Sequence, residues 1–447
     1  MNTASHSSHP FTVTNRLVLS IAIPMTLGFL TTPLLGLTDT AVVGRTGVAS
    51  ALAGLAIGAA LFDLLFSSLG FLRASTTALT AQAFGREDRK EQQAVFWRSI
   101  VLSVALGLCL LLLSPLLLKA GLWLMGPEGE VAEATASYFS IRILAGPLTL
   151  ANFTLLGFVL GRGQGKTGLL LQALLNGTNI VLSIHLGLTL GWGIAGVAWG
   201  TVIGEAVAVV AGLAIVLSGM RGADRPSLAD ILDRSQLRRL FSINRDILIR
   251  SFTLLAAFTT MTRIGTTFGP VTLAANAVLM NIFLVAGYYL DGFANAAEQI
   301  TGRAIGANYR PGFVQAVRLT AKWSFGLAAF TTAFFLLLGP AVIDLMTTAE
   351  DVRTVAYGYL PWAALTALTG ALAFQMDGVF IGATWSREMR NMMLAAFAGY
   401  MVALAVLVPA FGNHGLWAAL NLFLAMRGLF LLLRLKPKLD QTFAESQ

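Results

Sequence analysis

The chain has 447 residues, of which 56% are hydrophobic and only 12% are charged, and its formal net charge is +8. A soluble domain carries about 25% charged residues, so these proportions exclude a water-soluble fold of this length. They indicate a helical membrane protein, because a spanning helix needs roughly 20 apolar residues and the chain offers many such runs. The runs do not alternate polar and apolar residues, which excludes a transmembrane barrel.

Twelve apolar segments predict twelve membrane-spanning helices. They cover residues 17–43, 50–83, 96–125, 137–161, 168–190, 193–219, 246–269, 272–302, 317–346, 353–382, 389–411 and 414–434. The polar connection between the sixth and seventh helices is the longest, so we expect it to divide the chain into halves. The predicted parts are a cytoplasmic N-terminus (1–16), an N-lobe (17–219), a linker (220–244), a C-lobe (245–434) and a cytoplasmic tail (435–447).

The basic residues of the connections predict the orientation, because cytoplasmic loops are enriched in Lys and Arg. The connections after even-numbered helices carry Arg86, Arg89, Lys90, Arg98, Arg162, Lys166, Arg221, Arg225, Arg234, Arg238, Arg239, Arg245, Arg303, Arg310 and Arg387. The other connections carry few basic residues, namely Arg45, Lys119, Arg353 and, at the margin of one, Arg142. We therefore expect both termini on the cytoplasmic side of the cell (inner) membrane.

Four pairs of short segments show that the second half of the sequence repeats the first. The pairs are "NRLVLSIAIPM" (from Asn15) with "NRDILIRSFTL" (from Asn244), "AQAFG" (81–85) with "GRAIG" (302–306), "LGFVLG" (156–161) with "DGVFIG" (377–382), and "GIAGVAW" (193–199) with "GNHGLWA" (412–418). Each half has an even number of helices, so both copies cross the membrane in the same direction. The pattern predicts an all-α polytopic membrane protein with twelve transmembrane helices in two parallel six-helix repeats around a central cavity, as in secondary transporters.

Acidic residues inside the predicted helices are the first candidates for a functional site, since a charge near the bilayer centre costs at least about 2.5–3.5 kcal/mol. Asp39 follows residues 18–37, which carry no charge, and it lies close to Pro33 and Gly36. We expect it in the outer half of the N-lobe, where a carboxyl group shielded from water can take up and release a proton. The structural alternative is a hydrogen bond or an ion pair with Arg73.

The C-lobe contains three further acids. Asp377, in the tenth predicted helix, has either a functional role or a partner in Arg263 or Arg427. Glu298 and Asp291 are seven residues apart in the eighth helix and therefore lie on nearly one face. With Met376, which belongs to a group of methionines that either packs or forms an adaptable pocket, these acids are the candidate residues of a substrate cavity.

Two other acids lie in the N-lobe. Asp63 and Arg73 are ten residues apart in the second predicted helix, and we interpret them as an internal ion pair. Glu205, in the sixth helix, has two open interpretations: it caps or pairs within the N-lobe, or it has a functional role.

Three motifs resemble signatures of the multidrug and toxic compound extrusion (MATE) family, and most closely those of its DNA-damage-inducible (DinF) branch. They are "GLTDTAVVG" (36–44), "GFLRASTTALTAQAFG" (70–85) and "DGVFIGATWSREMRN" (377–391). The likeness extends over the whole chain, with its twelve helices and its two-lobe repeat. It implies a cation-coupled antiporter for multidrug efflux, with the proton as the coupling ion.

The resemblance also implies a coupling site in the N-lobe. Asp39 matches the acid of the family's first helix, and the family's fifth helix reads N-x-x-N-I-x-L-D. Here the fifth helix reads "NGTNIVLS", so Asn176 and Asn179 are present and Ser183 replaces the acid. The expected site for the proton is therefore Asp39 with Asn176, Asn179 and Ser183, and one N-lobe carboxylate should suffice.

A sodium ion is the alternative to the proton. The seventh predicted helix lacks the acid that some sodium-coupled relatives use, although Asp377 matches their tenth-helix acid. The loss of this acid and of the one at Ser183 disfavours a sodium site that needs several carboxylates.

The remaining patterns concern cofactors and partners. The stretch "GRGQGKTG" (161–168) lacks the spacing of a phosphate-binding loop, and no metal-ligand cluster or nucleophile–base pair is visible. We expect no metal, no cofactor apart from the coupling ion, and no enzymatic activity. The expected partners are organic, cationic or amphipathic small molecules and the lipid bilayer, without nucleic acid, and the expected state is a monomer. A lipid-intermediate flippase and a membrane-embedded transferase are the alternative functions.

Overall fold

The computed structural model of the chain describes residues 11–220 and 225–444, and these ranges contain helices and no strand. Twelve helical segments in them are long and apolar enough to cross a membrane, which confirms the predicted all-α polytopic class. Most of the predicted N-terminal segment, Arg221 and the last three residues of the predicted tail lie outside the described residues.

The first half of the chain contains ten α-helices, several of which join end to end to make one span. They are α1 (Asn15–Leu30), α2 (Thr32–Gly44), α3 (Ala49–Ser67), α4 (Phe71–Gly85), α5 (Arg89–Leu112), α6 (Ser114–Met125), α7 (Gly129–Arg142), α8 (Gly146–Gly161), α9 (Gly165–Ile184) and α10 (Gly193–Gly219). A 3₁₀ turn (Ile143–Ala145) joins α7 to α8, and a π-helical turn (His185–Thr189) follows α9.

The second half contains longer, less interrupted helices. They are α11 (Leu228–Ile231), α12 (Arg234–Gly265), α13 (Pro270–Gly306), α14 (Arg310–Met346), α15 (Glu350–Gly382), α16 (Ser386–Phe411) and α17 (Asn413–Ala444). A 3₁₀ turn (Thr266–Phe268) follows α12.

Prolines mark three of the interruptions in the first half. Pro33, Pro115 and Pro147 are the second residues of α2, α6 and α8. Proline is well tolerated in the first turn of a helix, where its missing N–H would have no partner, but it breaks a longer helix at that point. The break between α1 and α2 lies at Thr31, two residues before Pro33, in the span that carries Asp39.

Several helices extend beyond the predicted apolar boundaries. The helix α5 begins at Arg89, α12 begins at Arg234, and α17 continues to Ala444. Most of the segment 220–244, predicted as a polar connection, is thus helical. Hydropathy marks where the membrane begins, whereas Arg, Lys, Glu and Gln continue a helix readily in water.

The start of the second half is fixed to α5 by one arginine. Arg98 donates from Nη2 to the backbone oxygen of Asp230 (2.7 Å) and from Nε to that of Ile231 (3.2 Å). Its Nη1 lies 2.8 Å from Oε1 of Glu91, and Lys90 Nζ lies 2.9 Å from Oδ2 of Asp230. The basic residues counted for orientation therefore also hold the short helix α11 in place.

Contacts along the chain define two compact units, each described by itself. The N-unit comprises Pro24–Thr80 and Arg89–Ser251, and the C-unit comprises Met1–Ile23, Ala81–Asp88 and Phe252–Gln447. The predicted limits of the two lobes stay predictions.

Aromatic side chains form much of the core of each unit. In the N-unit the ring of Phe62 lies 4.9 Å from that of Phe139 and 6.1 Å from that of Tyr138. In the C-unit the rings of Tyr400 and Phe423 are 5.0 Å apart. These rings bury large apolar areas and support the helices that carry the polar groups described below.

Glycines set a close helix contact in the N-unit. A Cβ added at Gly157 of α8 would lie 2.5 Å from the backbone oxygen of Arg73, and one at Gly161 would lie 2.6 Å from that of Thr77. No side chain fits at those distances, so α8 and α4 pack backbone to backbone.

The C-unit repeats this contact 221 residues later along the chain. A Cβ at Gly378 of α15 would collide with the backbone oxygen of Ala294, and one at Gly382 with that of Glu298. The repeat predicted from four short segments thus corresponds to the same helix packing in each unit.

Candidate functional site

Asp39 is a buried acid in the middle of α2, and its side chain faces α9. Its exposed fraction is 9%. Ser183 Oγ lies 3.0 Å from Asp39 Oδ1 and donates a hydrogen bond to it. The structure therefore brings together the acid and the residue that replaces the expected second acid.

A chain of buried hydrogen bonds continues from Ser183. Ser183 Oγ also lies 3.0 Å from Asn179 Oδ1, and Asn179 Nδ2 donates to Thr201 Oγ1 at 3.1 Å. A serine hydroxyl has one hydrogen and two acceptor lone pairs, so Ser183 donates to Asp39 or to Asn179 at any moment, and not to both. Thr201 in α10 is a member that the sequence analysis missed.

Asn176 occupies a different place from the one expected. Its Nδ2 donates to Thr31 Oγ1, and Thr31 lies between α1 and α2. Asn176 and Ser183 are seven residues, or about two turns, apart on α9, so α9 holds α2 at its start and again at Asp39. The expectation that Asn176 binds near the carboxyl group is replaced by a role at the helix break.

The close approach of α9 and α10 explains the contact with Thr201. A Cβ at Gly200 of α10 would lie 2.8 Å from Ser183 N, and one at Gly204 would lie 3.2 Å from Asn179 Cβ. Glycines at this four-residue spacing let helix backbones approach in a membrane, which brings the hydroxyl group of Thr201 within reach of Asn179.

Arg142 is a second residue that the sequence analysis missed. It ends α7, donates from Nη1 to the hydroxyl oxygen of Tyr138 at 2.5 Å, and lies 4.7 Å from the centre of the Phe62 ring. Its positive charge interacts electrostatically with the carboxyl groups of Asp39 and Asp63. The signal in the sequence was Tyr138, placed four residues earlier on the same helix face.

The two predicted pairings with Arg73 are wrong. The charged group that acts on Asp39 and on Asp63 is the guanidinium of Arg142, and Asp63 itself is an exposed residue of α3. Ten residues along a continuous helix would place Asp63 and Arg73 about 15 Å apart.

Glu205 is another buried acid of the N-unit. It lies in α10 with an exposed fraction of 8%. Asn152 Nδ2 donates to Glu205 Oε2 at 2.5 Å and to its backbone oxygen at 3.0 Å. Thr149 forms a further side-chain hydrogen bond, and the charge of Arg142 acts on Glu205 as well.

Asp377 in the C-unit has a charged partner. Arg427 Nη2 lies 2.8 Å from Asp377 Oδ2, and both side chains are buried. The guanidinium also lies 5.7 Å from the centre of the Phe423 ring. Of the interpretations left open by the sequence, the structure shows the ion pair with Arg427.

The other candidate residues of a substrate cavity lie on α13 and α15. Glu298 and Met376 are buried in α13 and α15, with exposed fractions of 1% each, whereas Asp291 is exposed. A cavity of about 90 Å³ in the C-unit is lined by other residues, namely Phe258, Met261, Thr262, Gly265, Leu273, Asn276, Ala277 and Met280.

Comparison with known proteins gives consistent matches. The family model MatE matches residues 24–184 and again residues 247–407, so the second match begins 223 residues after the first, in agreement with the sequence repeat. DNA damage-inducible protein F of Escherichia coli K12 is 36% identical over 422 residues, which cover 94% of this chain and 92% of that protein.

More distant proteins match over nearly the same length. The probable multidrug resistance protein NorM of Halalkalibacterium halodurans is 24% identical over 427 residues and covers 89% of both chains. The solved structure of a MOP superfamily transporter from Pyrococcus furiosus superposes with a TM-score of 0.87 over 97% of both chains, at 18% identity. This structure has the same two-lobe fold.

Proposed function

Because the chain belongs to the MatE family of multidrug efflux transporters, we propose that it exports small organic compounds in exchange for protons. In this proposal it works by alternating access in the cell (inner) membrane, as a monomer, with both termini in the cytoplasm. Asp39 is the residue that binds the coupling proton.

The observation that carries the proposal is the neutral hydrogen-bond partner of Asp39. Ser183 donates to this buried carboxyl group, and a hydroxyl group can accept as readily as it donates. Asp39 can therefore gain or lose a proton while it keeps its bond to Ser183. An acid bound directly to a basic side chain would lose that pairing on protonation.

The group to which the Ser183 hydroxyl donates its single hydrogen depends on whether Asp39 is protonated. When Asp39 is ionised, Ser183 donates to Asp39. When Asp39 is protonated, the carboxylic acid donates to Ser183 Oγ, and Ser183 is then free to donate to Asn179 Oδ1. Protonation thus changes the hydrogen bonds at a point where α2 meets α9.

The helix break gives α2 a place to bend. Asn176 binds Thr31 at the start of α2, and Pro33 removes one helical hydrogen bond just beyond. In our proposal the start of α2 stays fixed at Thr31 while Ser183 and Asp39 exchange the roles of hydrogen-bond donor and acceptor. The helix α2 then pivots about its start, and this movement alters access to the N-unit. The helix α2 with Asp39 is the bistable element of the transport cycle.

The environment of Asp377 supports the proton rather than sodium as the coupling ion. This acid lies 2.8 Å from the buried guanidinium of Arg427, and a positive charge so close opposes the binding of a further cation. Ser183 in place of an acid also removes a charged ligand from the N-unit. A site for Na⁺ would need the ligands that these two positions do not offer.

The nature of the substrates is proposed from the acids around Arg142 and from the relatives. A related protein is named as a probable multidrug resistance protein. In the N-unit, three acids, Asp39, Asp63 and Glu205, share the charge of one arginine, Arg142. We propose organic cations and amphipathic compounds as substrates, because an excess of acidic groups attracts positive charge.

Transport by purified protein in liposomes tests the proposal. Ethidium efflux is measured under an imposed pH gradient, and separately under an imposed sodium gradient, with the membrane potential clamped to zero. We expect the pH gradient to drive export and the sodium gradient to have no effect. Export driven by sodium alone would contradict the assignment of the coupling ion.

A further inference from the structure

We propose that Glu205 is a second proton-binding residue of the N-unit and that it acts together with Asp39 in each transport cycle. This inference rests on the proposed proton-coupled export. It assigns a role to an acid for which the sequence left two interpretations open.

The position of Glu205 is costly for an ionised group. It is the thirteenth of the 27 residues of α10, which places it about 18 Å from the start of the helix and close to the middle of a membrane-spanning segment. A charge is least tolerated at that depth, and intramembrane acids that persist there are found in proton relays.

The groups bonded to Glu205 can serve both of its protonation states. Its bonded partners are Asn152, whose Nδ2 donates to Oε2, and Thr149. Both partners are neutral, and the hydroxyl group of Thr149 can either donate or accept. The carboxyl group of Glu205 therefore keeps its hydrogen bonds when a proton binds to it or leaves it, as Asp39 does with Ser183.

Polar residues connect Glu205 to the Asp39 site. Thr201, which accepts the hydrogen bond from Asn179, lies four residues before Glu205 on α10. Residues four apart lie on one helix face. Glu205 therefore continues the row of polar side chains that runs from Asp39 through Ser183 and Asn179 to Thr201. The row passes from α2 through α9 to α10 and ends at Asn152 in α8.

Electrostatic coupling joins the two acids as well. The guanidinium of Arg142 acts on both Asp39 and Glu205, and the other ionisable groups around it are Asp63 and Tyr138. One positive charge can favour the ionised form of one acid, but two acids sharing it compete. We therefore expect the proton occupancy of Glu205 to depend on that of Asp39.

The proposal determines how many protons cross the membrane for each exported compound. Both carboxyl groups bind protons when the organic cation leaves to the outside, and both release them to the cytoplasm when the next cation binds. Two protons then move inward for each compound exported. Glu205 supplies the second carboxyl group that Ser183 does not provide.

The ratio of protons to exported compound tests this inference. Proteoliposomes with a pH-sensitive dye inside are used to measure proton and ethidium movement together, at zero membrane potential. We expect about two protons per ethidium for the wild type and for Glu205→Asp, which keeps the carboxyl group, and about one for Glu205→Gln. An unchanged ratio in Glu205→Gln would overturn the proposal.

Matched controls separate this inference from the proposed function. Glu133→Gln removes an exposed acid of α7 in the same unit, outside these contacts, and we expect it to keep the ratio of two. If Asp39→Asn exported ethidium normally, the proposed function would fail. If Asp39→Asn stopped export while Glu205→Gln kept the wild-type ratio, only the role of Glu205 would fail.

A spectroscopic titration provides a readout that does not need transport. In the purified protein, the infrared band of a protonated buried carboxyl group should disappear as the pH rises. The contribution of Glu205 to this band should be shifted in Glu205→Asp and absent in Glu205→Gln, while the contribution of Asp39 remains in both. If Glu205→Gln does not fold, an unshifted band in Glu205→Asp would by itself overturn the proposal.

Discussion

The N-unit and the C-unit each bury an aspartate in a membrane-spanning helix, but they satisfy it differently. Asp39 receives a hydrogen bond from the hydroxyl group of Ser183, whereas Asp377 forms an ion pair with the guanidinium of Arg427. Protonation of Asp377 would remove the negative charge that lies 2.8 Å from the buried guanidinium of Arg427, which is costly. Protonation of Asp39 breaks no direct ion pair, because its bonded partner is the neutral hydroxyl group of Ser183. The two acids therefore have different capacities to respond to a pH gradient.

The difference also shows how one repeated scaffold carries two kinds of site. The glycine contacts at Gly157 and Gly378 are the same in the two units, while the acids lie at positions that the repeat does not share. The framework determines where helices meet, and individual side chains decide which unit can exchange a proton.

Removing the C-unit arginine should give the largest loss of stability. We expect Arg427→Met to destabilise the protein by about 3–5 kcal/mol, because it removes the positive charge that lies 2.8 Å from the buried Asp377 carboxylate. The measurement is denaturant unfolding in detergent. The double variant with Asp377→Asn should recover much of the loss, and an absence of recovery would show that the pair itself does not hold the helices.

The packing of α9 on α10 should be the next most sensitive feature. We expect Gly200→Ala to cost about 1–3 kcal/mol of folding stability, because the new methyl group would lie 2.8 Å from Ser183 N. Gly177→Ala is the control, since no atom lies within 4 Å of a Cβ at that position. Equal stability of the two variants would contradict the close approach.

Restoring an acid next to Asp39 should change the pH dependence of export. In Ser183→Asp two carboxyl groups would lie within hydrogen-bonding distance and would share one proton. We expect the pH–rate profile to move toward higher pH by about one unit, which corresponds to about 1.4 kcal/mol. Superimposable profiles of variant and wild type would mean that the two positions do not form one site.

Removing only the hydroxyl group should have the smallest effect on stability. We expect Ser183→Ala to cost about 0.5–1.5 kcal/mol, the usual net value of one neutral hydrogen bond, and to leave proton binding at Asp39 in place. In liposomes it should weaken the coupling between proton and ethidium movement. Wild-type coupling in Ser183→Ala would refute the reversal of hydrogen bonds proposed for this residue.

The sequence predicted the helices and the repeat because both depend on local patterns. Unbroken apolar runs mark spans, and Pro33 marked the break in the helix that carries Asp39. The pairing of Asp39 with the fifth span was implied by the resemblance to the MATE family, because "NGTNIVLS" matches that family's fifth-helix motif with Ser183 at the position of its acid.

The partners of charged side chains could not be predicted in the same way. Asp377 had two candidate arginines, and only the packing of α15 against α17 selects Arg427. Arg142 was assigned to the margin of a loop, although it lies beside Tyr138 and the buried acids. Such choices depend on which helices touch, which a single sequence of apolar helices does not encode locally.

Export measured in parallel for Asp39→Asn and for Asp377→Asn tests the central comparison most directly. Both variants keep the shape of the side chain and remove its titration. With equal amounts of folded protein in liposomes under a pH gradient, we expect Asp39→Asn to abolish ethidium export and Asp377→Asn to retain pH-driven export. Normal export by Asp39→Asn, or complete loss in folded Asp377→Asn alone, would contradict the assignment of the proton site to the N-unit.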